Sequence, residues 1–280
     1  MNADSLKYKI KIKSLQTGVF SQDLLQMYFF ERLLYRISVS KYKYNFILKG
    51  GLLLSIMIGD TRRTTQDMDM MIKNICLEKK IIIKIIKEII NLEVNDGIIF
   101  TFSKVQDIRL LDKYNGYKIS LIGKKENICV VLHIDITTGD PIVPKELLLS
   151  YTSLFDEVNI EILAFSKETI IAEKFETFLD SNVNNTRMKD YYDMYVLLKL
   201  YKHEINANNL FMAIKETCLR RNTYELLNQA REIFENIKVS EYILKQWDKF
   251  QKKYIFAREI SYTDIMNTIK FIVELVELNT

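Results

Sequence analysis

Two aspartates one residue apart, Asp67 and Asp69, lie in the stretch QDMDMMIK at residues 66–73. In a strand, positions i and i+2 share a face, so both carboxylates project together while Met68 and Met70 enter the core. Carboxylates forced together repel and raise each other's pKa unless a cation sits between them. Mg2+ suits such a pair, because it takes one or two protein carboxylates plus substrate phosphates. Upstream, Lys49-Gly50-Gly51 offers a glycine turn at which backbone N–H groups can approach a phosphate. A third carboxylate, Asp135, falls in the apolar stretch NICVVLHIDITTG, where a charge is costly unless paired or metal-bound. If that strand neighbours the first, Asp67, Asp69 and Asp135 can hold two metals that activate a 3′-hydroxyl and stabilise a leaving pyrophosphate. The protein then contributes mainly positioning and charge neutralisation.

A second charged group lies further on. Lys174 sits among the apolar residues Ile170, Ile171, Phe175 and Phe178, so its stem is expected to be buried. Arg187, Lys189, Asp190 and Asp193 follow in RMKDYYD, with Arg187, Asp190 and Asp193 three apart on one helix face. An arginine fork or a lysine point charge here can reach triphosphate oxygens. A salt-bridge network with Lys174 as a structural partner reads the same spacing equally well.

The elements that must position these groups are legible in outline. Residues 20–38 and 77–92 carry apolar residues at helical spacing. NFILKGG reads as a buried strand ending in a turn, LLLSIMIG as a short helix or buried run, and DTRRTT at residues 60–65 as a polar turn. Strands are expected at 98–108, 116–123 and 127–139, the last ending at Gly139-Asp140-Pro141. From residue 166 onward the chain reads as helix, beginning with SKETIIAEKFETFLDS and RMKDYYDMYVLLKL. The expectation is an α/β part over residues 1–165 and an all-α part over 166–280, joined without flexible-linker composition and packed together.

Bulk composition narrows the class. Apolar residues at 48% can bury a core, and eight glycines with two prolines argue against a loop-rich all-β chain. A net charge of +4 tolerates a polyanionic partner without requiring one. Cys76, Cys129 and Cys218 form no zinc or disulfide spacing, which fits a reduced, cytoplasmic protein. The N-terminus has no apolar signal core, and the longest apolar run is broken by lysines, so no membrane association is expected.

Together, FILKGGLLLS with RTTQDMDM, HIDITTGDPI, and IAEKFETFL with RMKDYYDMYVLL resemble the AbiEii/AbiGii toxin family, nucleotidyltransferase-like toxins of abortive phage infection and toxin–antitoxin systems. The resemblance covers residues 20–200. It implies a polymerase-β-like nucleotidyltransferase domain with a mixed sheet, followed by a helical domain, and NTP binding with Mg2+. It places catalytic roles on Asp67, Asp69, Lys174 and Asp190. Nucleotide-binding positions are then Lys49, Gly50, Gly51, Arg63, Thr65, Arg187, Lys189 and Asp193. An RNA acceptor, with tRNA expected, a consequent block of translation, and a cognate antitoxin are implied as well. The chain departs from the family at Leu52, where many members carry Ser or Thr after the glycines.

Two other classes stay open. His133 shares a face with Asp135, which suits a metal-dependent nuclease or phosphodiesterase. Leu52 suits a non-catalytic module that binds NTP or a partner.

Overall fold

The computed structural model describes residues 1–59, 63–110 and 114–280. Residues 60–62 of the expected turn DTRRTT lie outside the described residues. Two compact units emerge: Met1–Gly139 with Glu146–Ala164, and Asp140–Lys145 with Phe165–Thr280.

The first unit is built on a seven-stranded mixed sheet. Its strands are β1 (Phe46–Lys49), β2 (Asp67–Ile72), β3 (Ile99–Leu110), β4 (Tyr114–Lys125), β5 (Ile128–Thr137), β6 (Leu147–Thr152) and β7 (Asn159–Ala164). They run in the order β3-β4-β5-β2-β1-β7-β6. β2 pairs parallel to β5 and antiparallel to β1, and β1 pairs parallel to β7. β6 and β7 are additions to the strands expected from the sequence. β6 is short and alternates half-buried with exposed positions, so its apolar signal is faint.

Among the described residues, four helices complete this unit: α1 (Ala3–Thr17), α2 (Ser21–Val39), α3 (Gly50–Ile58) and α4 (Lys79–Ile90). α4 buries Ile82, Ile85, Ile86 and Ile89, the i, i+3, i+4, i+7 stripe of an amphipathic helix. α1 was not legible, because KYKIKIK alternates like a strand. Asn2 nonetheless caps it, accepting from Ser5 N, and Ala3, Leu6 and Ile10 are its buried positions. α2 lies on the apolar face of the sheet. Its Phe29 ring fills the space over Gly123, where a Cβ would fall 2.5 Å from ring atom Cδ1. The opposite face, which bears Lys118, Ser120, His133 and Asp135, is thereby left to the polar groups.

α2 also carries a buried carboxyl. Glu31 accepts from Leu154 N with both oxygens, at 3.1 and 3.0 Å. Burial pushes its pKa up to about 7, against which the Leu154 bond and Arg32 act only in part.

The second unit is helical: α5 (Lys167–Ser181), α6 (Met188–Tyr201), α7 (Ala207–Arg221), α8 (Ala230–Val239), α9 (Glu241–Lys253) and α10 (Tyr262–Glu277). Ser166 caps α5 by accepting from Thr169 N. Residues 140–145 join this unit through Val143, whose carbonyl accepts from Ser166 Oγ at 2.5 Å and whose N–H donates to Thr169 Oγ1 at 3.0 Å. Trp247, Phe250, Tyr192 and Phe256 form a ring cluster between α6 and α9. Among the described residues, no helix is long and apolar enough to cross a membrane.

The Glu31 environment predicts a pH dependence. Its folded pKa lies above the unfolded one, so the native state holds the extra proton between pH 4.5 and about 7. Its contribution to stability should be fully present below pH 4.5 and be lost, by up to about 3 kcal/mol, as pH rises through that window. Urea denaturation should show Glu31→Gln flattening this fall; an unchanged slope would refute the assignment.

Candidate active site

Strand register builds the site. Cα partners run Lys118↔Asp135, Asp135↔Asp69 and Asp69↔Lys49, so these four residues form one row across β4, β5, β2 and β1. Directly opposed residues present side chains to the same face. The row therefore reads cation, carboxylate, carboxylate, cation. A second row, Ser120↔His133↔Asp67, lies beside it. Asp67 and Asp69 are half-buried, and Met68 and Met70 are fully buried on the other face.

Beyond Lys49 the chain turns at Gly50, with φ +66°, and Gly50 and Gly51 open α3. The glycines expected in a turn thus form the first turn of a nine-residue helix, whose N-terminal N–H groups and positive dipole end favour an anion. Gly50 is required twice over. Its φ disfavours a side chain, and a Cβ would fall 2.0 Å from Asp69 Oδ2 and 2.6 Å from Asp69 Cγ. At Gly51, a Cβ would fall 2.7 Å from Thr65 Oγ1 and 3.5 Å from Arg63 Nη1. Asp69, Thr65 and Arg63 therefore crowd the glycine backbone closely. Thr65 Oγ1 donates to Asp67 O at 3.1 Å, and Arg63, itself buried, donates from Nη1 to Thr64 O at 3.0 Å. Leu52 is fully buried in the core, so it faces away from this edge.

Lys118 is a residue that the sequence reading missed. Its Nζ lies 3.4 Å from Asp67 Oδ1 and 3.3 Å from Asp135 Oδ1. The Asp135 contact is an ion pair without hydrogen-bond alignment, since Asp135 Oδ1 is buried and makes no hydrogen bond. Burial raises the Asp135 pKa, opposed by Lys118. Burial works against the Lys118 charge, but Asp135 and Asp67 outweigh it and raise its pKa. The signal for Lys118 and Ser120 was present in GYKISLIG, where polar 118 and 120 alternate with apolar 119 and 121. His133 Nδ1 lies 3.1 Å from Ser120 Oγ.

The donors fit one hard cation. Asp67 and Asp69 offer carboxylate oxygens on one sheet face, next to a helix N-terminus that suits phosphate, a donor set that Mg2+ could use. The expected three-carboxylate set is interrupted by Lys118. Among the described residues, no group of three or more His, Cys, Asp or Glu is placed to hold a metal ion.

In the second unit, Lys174 Nζ lies 2.6 Å from Asp190 Oδ1 and 2.8 Å from Asp193 Oδ2. Asp193 is fully buried and Asp190 nearly so. Burial opposes the Lys174 charge, yet Asp193 and Asp190 raise its pKa above the usual lysine range. The exposed Arg187 reaches Asp190 Oδ2 from Nε at 2.9 Å. Lys189 stands 5.3 Å over the Tyr254 ring. The structure thus brings Lys174, Arg187, Asp190 and Asp193 together, and gives Lys189 an aromatic neighbour.

A model of the family described as nucleotidyl transferase AbiEii toxin, type IV toxin–antitoxin system, matches residues 32–268. Two solved structures from Helicobacter pylori are similar. One, described as a candidate nucleotidyltransferase, is 15% identical with a TM-score of 0.52, covering 93% of this chain and 95% of that one. The other, JHP933, is 14% identical with a TM-score of 0.51, covering 93% and 92%. No curated protein matches the chain. These likenesses show a nucleotidyltransferase-like fold, α/β followed by all-α, as the sequence led us to expect.

Two substitutions test this geometry. Gly50→Ala should lower unfolding free energy by about 1–3 kcal/mol, because backbone and Asp69 must both yield; a melting curve like the parent's would contradict the close approach. Lys174→Met removes the cation shared by two buried carboxylates and should cost about 3–5 kcal/mol in chemical denaturation. A loss below about 1 kcal/mol would show that the carboxylates do not depend on it.

Proposed function

The chain belongs to the nucleotidyl transferase AbiEii toxin family of type IV toxin–antitoxin systems, and on that premise we propose that it moves a nucleotidyl group from an NTP to an RNA acceptor, using Mg2+ at Asp67 and Asp69. The observation that carries this reading is the Asp67–Asp69 pair facing out of β2 beside the glycine-opened N-terminus of α3.

Each group has a task. Asp67 and Asp69 would hold Mg2+, and the amides of Gly50 and Gly51 would take phosphate oxygens, aided by the dipole of α3. Lys49, Arg63 and Thr65 border this edge and orient the triphosphate. Bound Mg2+ supplies charge neutralisation at the phosphates and at the attacking hydroxyl. The acceptor hydroxyl releases its proton to solvent and forms its bond to the α-phosphorus as the bond to pyrophosphate breaks. Most of the rate then comes from fixed geometry and matched charge. In the second unit, Asp190 and Asp193 fix the Lys174 ammonium, with Arg187 and Lys189 as the neighbouring cations for nucleotide or RNA phosphates. tRNA is the expected acceptor, which makes the outcome a block of translation in the cytoplasm, relieved by a cognate antitoxin.

One observation favours a second reading. His133 lies opposite Asp67 on the same face, as a metal-dependent phosphodiesterase would need to activate water.

Incubation with α-labelled NTPs, Mg2+ and total tRNA separates the two. Transfer predicts label on RNA, reduced at least about a hundredfold by Asp69→Asn in a folded variant. Absence of label with all four nucleotides contradicts it, and RNA cleavage without NTP supports hydrolysis instead.

A further inference from the structure

We propose that Lys118 is a built-in cation that takes the place of a second metal ion, so that the carboxylate face accepts one divalent ion and not two. This rests on the reading of Asp67 and Asp69 as metal ligands. The juxtaposition is Lys118 Nζ within 3.4 Å of Asp67 Oδ1 and 3.3 Å of Asp135 Oδ1.

Three carboxylates share this face of the sheet, from neighbouring strands in register. Such crowding requires positive charge. An ion on Asp135 would sit about 2.1 Å from its oxygen, on the side from which Lys118 already approaches. Two cations that close in a partly dry site repel strongly. Lys118 is also well anchored. β4 is held by β3 on one side and β5 on the other, with Lys118 directly opposite Asp135. Its side chain is about one-third exposed, so it projects into the site without being locked in the core. Asp135 Oδ1, buried and without a hydrogen bond, marks where an ion would bind if the ammonium were absent.

Lys118 is therefore a positioning residue. It neutralises Asp135, steadies Asp67, and leaves Asp67 and Asp69 to a single ion. A tethered ammonium cannot exchange with ions in solution, so the second positive charge stays in place.

The count of bound ions tests this directly. Free Mn2+ followed by electron paramagnetic resonance should report one ion per wild-type chain. Lys118→Met, or Lys118→Gln if the first fails to fold, should bind two. Adding Asp135→Asn to either should return the count to one, and Lys118→Arg should keep it at one. Circular dichroism melts establish that each variant is folded. Two ions on the wild-type chain, or one on the folded Lys118→Met and Lys118→Gln variants, overturns the proposal while leaving the Asp67–Asp69 reading intact. No ion on the wild-type chain overturns both.

Discussion

Like charges placed on neighbouring strands of a sheet cannot relax away from each other, because register fixes their backbones. That constraint governs this molecule. β2 lies between β5 and β1, so Asp69 is held against Asp135 on one side and Lys49 on the other, and Asp67 stands one pleat away. The strain of carboxylate crowding is offset by the lysine at each end of the row. Packing on the other face of the sheet holds that row in place. The opposite face of the sheet is apolar and covered, with Met68, Ile119, Ile134 and Ile136 fully or almost fully buried. Burial of each such side chain contributes about 1.5–3 kcal/mol, which can outweigh the cost of holding the polar face together.

Close approach of backbone and side chain is the second consequence. Only a residue without Cβ allows the Asp69 carboxylate to lie over the start of α3. Carboxylate and helix N-terminus are thereby brought to one edge, where under the proposed function a metal-bound triphosphate would meet carboxylate oxygens and amide donors together. Such groups, carried on strands and a helix and not on loops, are preorganised before substrate arrives. The second unit repeats the same physics in a drier setting. There a largely buried lysine is shared by two buried aspartates on one helix face, a pattern in which removing one partner is far costlier than its net contribution.

The alternation of Asp67, Met68, Asp69 and Met70 made the strand and its polar face readable, and the spacing of Asp190 and Asp193 put them on one face of the helix expected over RMKDYYDMYVLLKL, which begins one residue later, with Arg187 as its N-cap. Asp135 was legible as a charge in an apolar run. Its neighbours were not, since pairing across strands depends on register, which a single sequence does not display. Lys118 was missed for this reason: it lies 51 residues from Asp67, and only the order β4-β5-β2 brings them together. The roles of Gly50 and Gly51 were read as those of a turn because a glycine pair signals φ freedom. That they open a helix follows from the buried run Leu52-Leu53-Leu54 that pulls α3 onto the sheet. α1 escaped because KYKIKIK alternates like a strand, and β6 because its apolar pattern is weak; α1 is fixed by its cap and by three buried residues.

The central claim is that Asp67, Asp69 and the Gly50–Gly51 edge form one site for a metal-bound nucleotide. Amide NMR spectra of the labelled chain, with Mn2+ and a non-hydrolysable NTP, measure this most directly through paramagnetic broadening. The account predicts loss of signal centred on residues 67–69 and 50–51, abolished by the Asp67→Asn, Asp69→Asn double variant. Broadening centred elsewhere, or unchanged by that variant, would contradict it.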